Sequence, residues 1–191
     1  MRAYAWTHFI LSPIQKGIQG GHAITEFRNF FSKAVKSDAQ LNAWDDWNDK
    51  HKTMIILNGG DCYGLRDVIE KLRTYFNDAS FKYPPAGVTF IEDDRTLGGL
   101  TTSVASIVHA RYYLMGVALR KSGVDINDYH FDKGDFTKHE IAKETLNRAL
   151  KEELTAANLL PYPFTVPDDF LNYSCAEHQF SAWLYTFNLA Q

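Results

Sequence analysis

Ser12-Pro13-Ile14-Gln15 constrains the path of this chain more tightly than any other stretch. A capping serine, a proline at the first helical position and a glutamine three residues after the serine compose a helix start that suits little else. Just upstream, Tyr4, Trp6, His8 and Ile10 alternate against Ala5, Thr7, Phe9 and Leu11, so Ala3 to Leu11 reads as a strand. The chain must therefore pass from strand directly into helix, which is predicted to run to about Val35. Gln15, Gln19, His22 and Glu26 are spaced i, i+4, i+7 and i+11 and share one face of it. Ile14, Ile18, Phe27 and Phe31 lie on the other side, and the expectation is that they pack on a sheet. A Gln-Gln-His-Glu row beside Lys16, with Gly20-Gly21 in the same turn, reads as a surface that a ligand approaches closely.

The alternation continues downstream. Residues 37–52 read as a short helix or loop carrying Trp44 and Trp47. Thr53 to Leu57 reads as a second strand, Gly59-Gly60-Asp61 as a turn, and Tyr63 to Asn77 as a helix capped by Asp61, with Leu65, Val68, Ile69, Leu72 and Phe76 as its apolar stripe. Gly87 to Glu92 is a third strand, Asp93 to Gly99 a polar loop, and Thr101 to Val108 a fourth strand that the short connection makes a hairpin partner. Helices separating the first three strands imply an α/β fold with a four-stranded mixed sheet in a three-layer sandwich. From Ala110 the pattern turns helical, over 110–121, 138–158 and 168–190, with a Pro-rich break at 160–167. The division expected is an α/β domain over 1–109 and a helical extension over 110–191 packed on it. Phe180, Trp183, Leu184 and Phe187 follow helical spacing and suit either core or a homodimer face.

Charge and composition narrow the function classes. The formal charge is −3, yet the first 36 residues hold five basic side chains and one acid. An anionic ligand would therefore meet the N-terminal third, and a general nucleic-acid coat is disfavoured. Cys62 and Cys175 stand apart with no partner motif, which implies a reducing, cytoplasmic setting. The first residues do not read as a signal peptide, and His109 and Arg111 break the best candidate for a membrane span. His130, Asp132 and His139 fit no zinc spacing, so neither metal nor cofactor is expected.

Two segments follow strand ends and are expected to converge there: the first helix start, with Gln15, Lys16, Gln19 and His22, and the loop with Asp93, Asp94, Arg95 and Thr96. The ordered pattern resembles the type 2 peptidyl-tRNA hydrolase family over about Tyr4 to Val108. Gln19-Gly20-Gly21-His22-Ala23 matches that family's Gln-x-x-His-Ala. Phe90-Ile91-Glu92-Asp93-Asp94-Arg95-Thr96, followed by Gly98-Gly99 and an apolar strand, is similar to a shortened form of its Asp-Ala-Gly-(Arg or Lys)-Thr segment. Three departures bear on activity. Gln15 occupies the place of the family's lysine, with Lys16 one residue later, a rotation of about 100° on a helix. The Asp loop is one residue short, and Leu97 follows the threonine where the family often has a polar residue.

The resemblance implies hydrolysis of an acyl ester on a tRNA 3′ end. In that scheme His22 takes the proton of a water, Asp93 orients the water or the imidazole, and Gln19 or Thr96 donates to the oxyanion. Lys16 and Arg95 hold a phosphate beside the helix amino end, with Gln15, Gly20 and Gly21 lining the ligand. The alternative is a non-catalytic protein that binds a nucleotide-derived ligand or a tRNA end, or docks a protein partner. A third reading is an interaction module built on Trp44, Trp47 and the aromatic tail. At residue level the plainer roles stay open: a cap for Gln15, a structural ring for His22, helix–sheet packing for Gly20-Gly21, and turn formation for Asp93-Asp94.

Overall fold

The computed structural model describes residues 1–33, 38–81, 85, 88–93, 99–125, 136–156 and 173–187. They form two compact units, Met1–His109 with Phe187–Gln191, and Ala110–Thr186. The first is an α/β fold built on a four-stranded mixed sheet in the order β2-β1-β4-β3. Its strands are β1 (Arg2–His8), β2 (Met54–Gly60), β3 (Thr89–Asp93) and β4 (Leu100–Val108). Its helices are α1 (Pro13–Lys33), α2 (Asp38–Asp46), which continues into a π turn (Trp47–His51), and α3 (Cys62–Phe76).

β1 runs parallel to β2 and antiparallel to β4, and β4 is antiparallel to β3. The carboxyl ends of β1, β2 and β3 and the amino end of β4 therefore share one edge of the sheet. β1 and β4 are the inner strands, and every residue from Ala3 to His8 and from Thr101 to Val108 is buried.

β1 is shorter than its alternation predicts. Phe9 donates its N–H to the Gly60 carbonyl at 2.9 Å, and Leu11 closes onto the His8 carbonyl at 3.3 Å. This turn takes Phe9 and Ile10 out of the sheet, leaving them 56% and 65% exposed. The helix start forms as read. Ser12 N–H donates to Gln15 Oε1 at 3.0 Å, and Gln15 N–H donates to Ser12 Oγ at 3.3 Å. These reciprocal bonds satisfy donors that a helix amino end otherwise leaves open.

The buried face of α1 is the expected one at Phe27 and Phe31 but not in its first turns. Ile14 is 77% exposed and Ile18 50%, whereas Gly20, Ala23, Ile24 and Phe27 are buried. The reason is fit rather than hydropathy. α1 lies over Ala3, Ala5 and Ala105, a shallow floor that admits close approach. A Cβ on Gly20 would stand 3.1 Å from the Ala5 Cβ, so glycine and alanine form the seam and the isoleucines rotate outward. Phe27 and Trp44 complete this core, their ring centroids 6.4 Å apart. Trp44 is thus an interior side chain, and the half-buried Trp47 donates its indole N–H to the Thr53 carbonyl at 2.8 Å.

α3 keeps its expected stripe, with Leu65, Val68, Ile69 and Leu72 buried. Asp61 Oδ1 accepts from Tyr63 N and Gly64 N at 3.0 and 2.9 Å, as a capping aspartate should. Gly59 and Gly60 end β2 rather than forming a free turn. Gly60 has φ +80°, a conformation that glycine adopts without strain.

The second unit comprises α4 (Ala110–Ser122), α5 (Phe136–Ala156) and α6 (Cys175–Thr186). α4 packs against both others, and a Cβ on its Gly116 would stand 2.8 Å from the Ser181 carbonyl oxygen. Phe180 and Leu184 are buried, so they belong to the interior rather than to an exposed face. The Pro-rich break at 160–167, His130 and Asp132 lie outside the described residues.

Candidate functional site

Strand ends inside an apolar core do not ordinarily bury hydroxyls and charges, because each polar group withdrawn from water needs a partner. At the edge shared by the carboxyl end of β1 and the amino end of β4, six polar side chains are under a tenth exposed: Thr7, His8, Lys16, Thr101, Thr102 and Ser103. Thr7 Oγ1 donates to the Leu57 carbonyl at 3.3 Å. His8 Nδ1 accepts from Ile10 N at 3.3 Å, which puts the proton of the neutral ring on Nε2. Ser103 Oγ, fully buried, meets no hydrogen-bond partner among the described residues.

Two irregularities mark the same edge. Between Thr7 and His8 the register moves from Asn58 to Gly60, so Gly59 is an extra residue on β2. Between Ile91 and Glu92 it moves from Ser103 to Thr101, so Thr102 is an extra residue on β4. Bulges re-aim side chains and recur beside sites. Here the second one turns Thr102 toward α1, where its hydroxyl donates to Gln19 Oε1 at 3.1 Å. Thr89 on β3 adds a second tie, donating to the Ala23 carbonyl at 2.7 Å. The helix carrying the Gln-x-x-His-Ala segment is thus bonded directly to β3 and β4.

The predicted site residues take different places. Gln19 is half-buried and engaged with Thr102; Lys16 is buried in the first turn of α1; His22 is exposed three residues after Gln19. Gln15 is held in the capping box, and Gly20 serves close packing on Ala5, so the plainer reading holds for both. Gly21 has open space where a Cβ would stand. Asp93 pairs through its backbone with Leu100 at this edge. The Asp93 side chain, Asp94, Arg95 and Thr96 lie outside the described residues.

Sequence reasoning missed His8 and the Thr101-Thr102-Ser103 run. The signal was present, since three hydroxyl residues open a strand that is otherwise apolar, opposite a Thr-His end. Phe9 and Ile10, just beyond β1, and Ile14 and Ile18 on α1 are exposed.

Among the described residues no group of three or more His, Cys, Asp or Glu is placed to hold a metal, and no helix is long and apolar enough to cross a membrane. A cavity of about 780 Å³ runs along α5 and is lined by Glu144, Asn147, Arg148, Lys151, Glu152 and Thr155. Its charges are two acids and two bases, as on a solvated helix flank. Compared with protein-family models and with curated proteins, the chain matches none.

Proposed function

We propose that this chain is a type 2 peptidyl-tRNA hydrolase-like protein, a three-layer sandwich with a helical extension, that takes an acyl ester on a tRNA 3′ end at the polar edge of its sheet. The Thr102–Gln19 hydrogen bond carries the reading. It joins the Gln-x-x-His-Ala helix to the strand that follows the Asp93-to-Thr96 segment in sequence, the two stretches on which the resemblance rests. The layering is supported by Ala5 beneath Gly20 of α1 and by Trp6, the next residue of β1, whose Cβ and Leu65 of α3 flank Gly59.

In this mechanism His22, exposed beside the open space over Gly21, takes a proton from a water, and Asp93 orients that water. Gln19, with Thr96, donates to the oxyanion as the ester carbon becomes tetrahedral. Lys16 and Arg95 hold the adjoining phosphate at the amino end of α1. The alcohol of the ribose leaves and the acyl group departs as an acid. General acid–base catalysis contributes about 10²–10⁴-fold. Purified full-length chain is expected to hydrolyse a synthetic peptidyl-tRNA, with His22→Ala and Asp93→Ala each lowering kcat by at least about 10²-fold. Full activity in both variants removes this assignment.

One observation favours the second reading, a non-catalytic binder of a nucleotide-derived ligand or tRNA end. Gln15, at the place of the family's lysine, is consumed in the cap, and Lys16 is buried. A thermal-shift screen against nucleotides, cyclic nucleotides and deacylated tRNA separates the two. A rise in Tm without turnover of peptidyl-tRNA selects the binder.

A further inference from the structure

We infer that β2 is a docking edge for a second copy of this chain: two β2 strands pair antiparallel across a twofold axis at Ile56 and join two sheets into one.

β2 stands at one end of the sheet order, with β1 on one side and no described strand on the other. The register fixes which backbone groups face outward. Ala3 donates its N–H to the Thr53 carbonyl at 3.1 Å, and the Leu57 carbonyl accepts from Thr7 Oγ1 on the same side. Backbone groups alternate along a parallel strand, so those of Ile55 and Leu57 serve β1. Those of Met54, Ile56 and Asn58 point away from it. The side chains alternate as well. Met54 packs on the α1 side, and Ile56 approaches Gly20 there, which leaves Ile55 and Leu57 on the opposite face. Met54, Ile55 and Ile56 are only partly buried, so apolar surface flanks the outward hydrogen-bonding groups on both faces.

Edge strands are ordinarily guarded by charge, by proline or by shortness. Met54–Gly60 contains no Lys, Arg, Asp, Glu or Pro. The other edge, β3, is shorter and ends in Glu92-Asp93. The unguarded edge is also complementary to itself. About Ile56, that residue meets its own copy in a reciprocal pair of N–H to C=O bonds, and Met54 of each chain meets Asn58 of the other. Between these pairs Ile55 of one chain lies beside Leu57 of the other, aliphatic against aliphatic. Exposed Lys52 precedes the strand and exposed Asp61 follows it. The antiparallel arrangement turns the basic flank of one copy toward the acidic flank of the other, where a parallel one would set like against like. Pairing along one short edge falls short of the roughly 800 Å² per partner of a standard interface, so the dimer is weak, with Kd between about 1 μM and 1 mM.

Sedimentation velocity on the full chain tests this. The weight-average mass is expected to rise from 21.8 kDa at about 5 μM toward twice that at about 500 μM. Asn58→Pro deletes an outward N–H while keeping those that serve β1, and is expected to weaken association by about tenfold or more. Ile55→Lys, which sets a charge against Leu57 of the second copy, acts in the same direction. Cross-linking reads the register, in a background of Cys62→Ser with Cys175→Ser. Ile56→Cys lies on the axis, about 5.5 Å between Cα atoms, and is expected to form a disulfide across the two copies on mild oxidation. Asn58→Cys, about 14 Å from its own copy along the strands, is not. A monomer throughout the concentration range overturns the inference, whatever other strand the edge then captures. So does a dimer that neither Asn58→Pro nor Ile55→Lys weakens, or one cross-linked by Asn58→Cys and not by Ile56→Cys. Should Asn58→Pro not fold, Ile55→Lys decides it.

Discussion

Asp46 shows how one side chain's surroundings set a measurable property. Lys50 Nζ approaches its Oδ1 at 2.8 Å, and the amino group of Met1 approaches Oδ2 at 3.3 Å. The Lys50 hydrogen bond is the main influence holding the Asp46 carboxyl below its ordinary range, against a smaller upward push from partial burial. Asp78 is held low in the same direction by hydrogen bonds from Ser80. For such groups the unfolded chain binds protons first as pH falls. Their contribution is therefore complete at neutral pH and fades as pH drops through the carboxylate range and below, between about pH 5 and 2. The expected outcome is a smaller loss of Tm over that window in Asp46→Asn than in the parent chain, read by thermal melts at each pH. Identical slopes would remove Asp46 as a contributor. His8 and His22 make a similar point by contrast, since equal chemistry is buried at a strand end in one and exposed on a helix in the other.

Among the elements, α3 and α1 differ in how well their residues announce their packing. The α3 stripe of Leu65, Val68, Ile69 and Leu72 is strongly apolar on one side, and hydropathy alone orients it. The buried line of α1 includes Lys16, Gly20 and Ala23, which no apolar template selects. It is chosen because Ala3, Ala5 and Ala105 leave room for a close backbone approach. Ile14 and Ile18 are left exposed by the same choice. Ile14→Gln and Ile18→Gln are therefore expected to change unfolding free energy by no more than about 0.5 kcal/mol each, as surface substitutions do, in urea denaturation. A cost above about 2 kcal/mol would mean that this face is packed.

At the scale of the molecule, each unit has its own buried polar feature. In Ala110–Thr186, Arg111 and Glu177 are 1% and 2% exposed, with Nη2 and Oε2 3.9 Å apart. Tyr112 donates its hydroxyl to Glu177 Oε1 at 2.7 Å, and Ser174 N–H donates to Oε2 at 2.9 Å. The Arg111 guanidinium also lies over the Tyr173 ring, 3.9 Å from its centroid. Removing one member of a buried pair leaves the other charged and desolvated, at a cost of about 3–5 kcal/mol. Glu177→Ala is expected to lower stability by about that amount in urea denaturation, and Glu177→Gln, which keeps an acceptor, by less. A loss under about 1 kcal/mol in Glu177→Ala would show that the carboxylate does not hold this core together.

The order of strands and helices, the capping box at Ser12–Gln15, the Asp61 cap and the α3 stripe were all legible from the sequence. Each depends on residues within a turn or two of one another, where backbone hydrogen bonding and hydropathy act locally. The edge shared by the strand ends was foreseen from the alternation. Its contents were not: His8, Thr101, Thr102 and Ser103 read as ordinary strand residues until the register of β1, β3 and β4 brought them together. Only the tertiary structure decided which face of α1 turns inward and which side chain meets Gln19. Both depend on the size and register of residues far away in sequence, Ala5 beneath Gly20 and a one-residue bulge at Thr102. A shift of one position along a strand sends a side chain to the opposite face, and no local pattern records it.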